Sequence, residues 1–165
     1  MGACTTLNRI RAHRPCESGW TKLLRHLGKT KADDDLLPFA VIVESNGMND
    51  ALWCCLSVNY DRVWRLYAVW CARQVQHLMK DARLIAALDV AQDYAIGLAT
   101  RYALERAWSA AGAADRDAWA AAWAAQKVMF LRVVSAPNEN AAAQILLDAM
   151  PKRVMEDAAP NAQEE

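Results

Sequence analysis

Apolar residues recur three and four positions apart along most of this chain, the spacing of helices that each bury one face. Leu23, Leu24 and Leu27 share a side with Trp20, Pro15 precedes them, and Gly28 stands where a helix-ending glycine belongs. A first helix is therefore expected over residues 17–27, followed by a polar loop over 29–35. Pro38 suits the first turn of a second helix with Asp35 as its cap, and the nearly apolar run 39–43 continues it to Asn46-Gly47. The β-branched Val41-Ile42-Val43 also suits a short strand, but an isolated strand would find no partner here.

Asn49 or Asp50 then caps a third helix through Leu56, and Asp61 caps a fourth over 62–79 with Leu66, Trp70, Val75 and Leu78 as its stripe. Lys80-Asp81 is a corner. A fifth helix follows with Leu84, Leu88, Ala91 and Ala95 at helical spacing and Gly97 as its stop, and Thr100 opens a sixth over 101–111. Asp115 opens a seventh, alanine-rich around Trp119, Trp123 and Phe130. Pro137 interrupts, and Asn138 or Asn140 restarts an eighth over 141–150. The expectation is all-α: a compact bundle of seven or eight short helices in one domain over 1–150, with a frayed acidic tail over 151–165.

Composition sharpens this picture. One residue in five is alanine, against six glycines and five prolines, and seven tryptophans fill the volume that alanine leaves between close helices. Those tryptophans are expected as wedges between helices, with exposed anchors at a binding surface as the alternative. No run approaches the roughly 18 apolar residues of a membrane span. Residues 1–11 carry charge without an apolar stretch, so no secretory signal and a cytosolic location are expected. The five cysteines (Cys4, Cys16, Cys54, Cys55, Cys71) form no C-x-x-C, and Cys54, Cys55 and Cys71 read as small buried hydrophobes.

The formal net charge of zero hides segregation. Arg9, Arg11, Arg14, Lys22, Arg25, Lys29 and Lys31 face only Glu17 in the first 31 residues, whereas Asp33, Asp34 and Asp35 open an acidic stretch and the C-terminal end is acidic again. Such asymmetry concerns partners and steering rather than fold.

Chemistry is sparse. There is no phosphate-binding glycine loop, H-E-x-x-H, G-x-S-x-G or calcium-loop pattern. Cys4, His13, Cys16 and His26 have zinc-ligand atoms at spacings of no common zinc module, and Cys71 and His77 fall on different faces of the fourth helix. Asp89 and Asp93 lie one turn apart with Asp81 and Arg83 nearby; Arg65 or Arg73 is expected to neutralise them, the sharper alternative being a metal or acid–base site. Asp33, Asp34 and Asp35 read as a solvated loop that could also mimic nucleic-acid phosphate toward a basic partner.

The block from Asp50-Ala-Leu-Trp-Cys-Cys-Leu56 through Arg65-Leu-Tyr-Ala68, Cys71-Ala-Arg73, Ala87-Leu-Asp-Val-Ala91 and Gly97-Leu-Ala-Thr100 resembles an α-helical family of bacterial and prophage proteins described as immunity proteins. The resemblance covers about residues 50–125. It implies a small helical protein that binds and neutralises a toxin or a bacterial defence component, and it supplies no catalytic residues; no cofactor and no metal are expected. Trp70, Cys71 and Arg73 then read as core and core-edge positions. The expected function is a non-enzymatic inhibitor acting by steric occlusion, anti-CRISPR activity being one specific version, with the seven cations and Asp33, Asp34 and Asp35 as contact residues. The alternatives are direct nucleic-acid binding by the basic front and a small metal-dependent enzyme using Asp81, Asp89, Asp93 or the Cys/His front.

Overall fold

A computed structural model describes residues 2–111 and 123–150. The fold is all-α. In chain order the described elements are β1 (Cys4–Thr5), α1 (Leu7–Ala12), α2 (Glu17–His26), β2 (Leu37–Pro38), α3 (Phe39–Asn46), α4 (Met48–Cys54), α5 (Asp61–Gln74), α6 (Ala82–Ile96), α7 (Arg101–Ala111), α8 (Trp123–Val134) and α9 (Glu139–Ala149).

Most helix ends obey the local signals. Leu27 closes α2 ahead of Gly28, whose φ of 65° is left-handed. Gly97 closes α6 with φ 86°, and its N–H and that of Leu98 return to Tyr94 and Asp93 carbonyls. Asp81 caps α6 through Arg83 N–H, Thr100 Oγ1 accepts from Ala103 N–H ahead of α7, and Asn138 caps α9 through Ala141 N–H.

Several boundaries differ from the sequence expectation. Helix α1 was not anticipated: Leu7 and Ile10 alone are buried in it, too few for a periodic signal, and its start is set by Thr6 Oγ1 accepting from Arg9 N–H. Pro38 stands one residue outside α3 in extended backbone, and Asp35 caps nothing, because residues 37–38 pair antiparallel with β1 (Cys4 opposite Pro38, Thr5 opposite Leu37). The run Val41–Val43 is helical. Helix α4 begins at Met48 after Gly47 (φ 93°), so Asn49 and Asp50 lie inside its first turn, and a 3-10 turn Cys55–Ser57 follows it. Asp61 is the first residue of α5 rather than its cap, and α5 ends at Gln74 before a 3-10 turn Gln76–Leu78 that leaves Leu78 exposed. The expected start of the seventh helix at Asp115, the side chains of Trp119 and Trp123, and the tail 151–165 lie outside the described residues.

The core is built on α5, which packs against α6 on one side and α9 on another, while α3 meets α8 and α2. Phe39 and Phe130 are fully buried, their rings 6.2 Å apart and nearly perpendicular. Trp64 (6.1 Å) and Tyr67 (5.7 Å) complete an aromatic cluster around Phe130. The tryptophans divide: Trp70 is buried, Trp20 and Trp64 are half-buried, and Trp53 and Trp108 are 36% and 49% exposed. Ala3 N–H donates to the Val134 carbonyl (2.6 Å), which ties the N-terminal segment to the end of α8. Among the described residues no helix is long and apolar enough to cross a membrane.

Candidate functional site

Six cations of the basic front are exposed on α1, α2 and their flanks, an N-terminal corner of the fold. Arg9 and Arg11 are exposed on α1, Arg14 on the turn between α1 and α2, Lys22 and Arg25 on α2, and Lys31 just beyond it. Arg25 and His26 in the last turn of α2 also face the negative end of that helix. Arg14 holds a left-handed backbone, φ 57°, uncommon for a residue with a side chain.

The acidic loop doubles back onto this corner. Lys29 Nζ lies 2.6 Å from Asp33 and 2.7 Å from Asp35, and both contacts raise its pKa while Lys29 lowers that of Asp33. The Asp33 carbonyl accepts from Asn8 N–H (3.0 Å), and Asp34 accepts from Thr6 Oγ1 at 3.4 Å. The acidic loop is thus tied to Lys29 and to α1, Arg11, Arg14 and Lys31 line one depression, and Lys22 and Arg25 line another. Lys29 is spent in that tie, Asp33 is half-buried, and the other six cations face solvent with Asp34 and Asp35. The sequence reading had these residues as a solvated loop; the segment is non-helical, so no helix spacing rule marked either the clasp or its docking on α1.

The thiols separate into two chemical classes. Cys54, Cys55 and Cys71 are buried, and burial pushes Cys54 up to about 12 and Cys71 to about 11, with Cys55 also raised. They stay protonated and are poor nucleophiles. Cys16, exposed at the N-cap of α2, has its pKa lowered by the Ser18 hydroxyl and then by Gly19 N–H. Cys4 is half-buried and donates to the Gly2 carbonyl, while His13 and His26 are exposed. Among the described residues no three His, Cys, Asp or Glu side chains are grouped to hold a metal ion.

Arg73 takes the neutralising role. Its guanidinium, only 7% exposed, meets Asp89 at 2.7 Å, donates twice to Gln92 Oε1 (3.1 and 2.7 Å) and once to Gln76 Oε1 (2.8 Å). It therefore pins α5 to α6. Arg65 Nη1 lies 3.3 Å from the Tyr94 hydroxyl and its guanidinium 5.1 Å from that ring. Asp81 is engaged by Arg83 at 2.6 Å. Two of the three carboxylates expected as a possible reactive group, Asp81 and Asp89, are thus held in separate ion pairs. Trp70 and Cys71 are buried and Arg73 lies at the core edge.

Fold and surface define an all-α bundle with a charged N-terminal corner. Comparison with protein-family models, with curated proteins and with solved structures finds no match for the chain.

Proposed function

We propose that this protein works by binding another protein, without catalysis, as an inhibitor or immunity-type protein that neutralises a toxin or a bacterial defence component by occluding it. The observation that carries the reading is the N-terminal corner. Six cations stand in solvent on two short helices and their flanks, arranged to steer an acidic partner. The narrower version follows from reading residues about 50–125 as similar to helical immunity proteins, and anti-CRISPR activity is one specific form of it. Buried, protonated thiols and carboxylates tied into ion pairs are also the chemistry of a scaffold rather than of a reaction centre.

The test is capture of partners from bacterial lysate with the full chain, with and without nuclease, read by mass spectrometry. A stoichiometric protein that survives nuclease and is lost with Arg9→Glu and Lys22→Glu is the expected result. A partner list that collapses on nuclease treatment would assign the corner to nucleic acid and refute the reading.

A further inference from the structure

A cleft of about 450 Å³ opens beside the basic corner, between the α1–α2 turn, α2, α3 and α4. That volume is within the range of sites that enclose a ligand group. Two indoles, Trp20 and Trp53, line it, and Leu23 and Ile42 close its apolar floor. Its polar wall is cross-linked. Asn46 Nδ2 donates both to the Gly19 carbonyl and to Asp50 Oδ2, each at 2.8 Å, so one amide joins α2, α3 and α4. A side chain at position 19 would begin 2.8 Å from that carboxylate oxygen, so glycine is what lets α2 approach.

The mouth of the cleft has a direction. Arg14, Pro15 and Trp20 also line a second, shallower depression whose far side carries Arg11 and Lys31, against Glu17 alone. Anything that leaves the cleft across Trp20 thus passes from an apolar chamber onto three cations. Neither a basic nor a wholly apolar occupant satisfies both halves.

We propose that the cleft formed by Trp20, Trp53, Leu23 and Ile42 receives one aromatic or large aliphatic side chain of a partner polypeptide, whose adjoining Asp and Glu residues lie over Arg11, Arg14 and Lys31. This rests on the protein-binding reading above and names the partner's chemistry: an acidic segment with an apolar anchor. The Asn49 amide and the Asp50 carboxylate also line the cleft, beside the anchor, for the main chain of such a segment. Cys16 lies at the rim, where its exposed thiol reports occupancy.

The probe is a panel of synthetic twelve-residue peptides with a central Trp, Phe or Leu flanked by Asp and Glu, paired with versions carrying Lys flanks or a Ser anchor. The acidic, anchored peptides should bind the full-length protein and slow alkylation of Cys16, with either change weakening binding about tenfold or more. Trp20→Ala should abolish binding. Arg14→Gly, which removes the cation while relaxing the left-handed backbone, should weaken it on an intact fold. Equal affinity across the panel, no binding at millimolar peptide, or affinity unaffected by both substitutions would overturn the assignment. Self-association lost with Trp20→Ala would assign the cleft to a second copy and overturn it equally. A captured partner that tolerates Trp20→Ala and Arg14→Gly but not Arg9→Glu with Lys22→Glu would preserve protein binding and overturn the cleft alone.

Discussion

Replacing Arg73 by methionine isolates the tie between α5 and α6. Methionine retains most of the buried stem and removes the guanidinium, so the loss falls on polar groups rather than on packing. Three partners lose a donor, and half-buried Gln76 can turn to water, so the cost falls on the other two. Asp89 keeps 37% exposure and regains part of its hydration, which places it at or below the low end of the roughly 3–5 kcal/mol found when a buried ion pair loses one member. Gln92 is 7% exposed and loses both donors to its carbonyl oxygen, an orphaned acceptor costing about 1–3 kcal/mol. Allowing for partial relaxation, about 3 kcal/mol of destabilisation is expected. For a chain of this size that corresponds to a fall of roughly 6–12 °C in Tm. Urea unfolding followed by far-ultraviolet circular dichroism should show a lower midpoint at unchanged slope. Combining Arg73→Met with Asp89→Leu should recover part of the loss, with a coupling of about 1–3 kcal/mol. A loss below about 1 kcal/mol, or strictly additive substitutions, would refute the role assigned to this cluster.

Phe130→Ala empties the centre of the aromatic cluster, whose rings lie 5.7–6.2 Å away, and should cost about 3–5 kcal/mol by urea unfolding. Gly97→Ala adds no clash but forces a side chain into φ 86°, so a loss of about 1 kcal/mol is expected; a neutral result would remove the capping argument. In a thiol-alkylation time course at neutral pH, peptide mapping should find Cys16 modified before Cys54, Cys55 and Cys71, with its rate half-maximal below pH 9.0. The buried thiols set an alkaline limit. Their folded pKa values lie above the ordinary 9.0, so the unfolded chain loses protons first, and stability should fall between about pH 9 and 11 for Cys71 and up to about pH 12 for Cys54. Cys54→Ala with Cys71→Ala should flatten that decline.

Helix content was legible because it is local. Alanine abundance, 3.6-residue periodicity, terminators such as Gly28 and Gly97 and the N-cap Asn138 act within a few residues of the chain, and the helices they mark are present. Elements that depend on distant partners were not legible. Thr5 and Leu37 pair across 32 positions, and that pairing moved Pro38 out of α3. Helix α1 has two buried residues and gains its place from the chain it docks on. The choice of Arg73 over Arg65 for Asp89 follows from how α5 and α6 are rotated against each other, a quantity absent from either helix alone. Trp20 and Trp53 carry no mark that they share a cleft; Asn46, reaching Gly19 and Asp50 at once, brings them together. The sequence by itself determined that this chain is a bundle of short helices with charge gathered at its N-terminal end. Tertiary structure decided which charges cancel, which indoles face solvent and where a cavity opens, because each depends on the angle and distance between helices far apart in the chain.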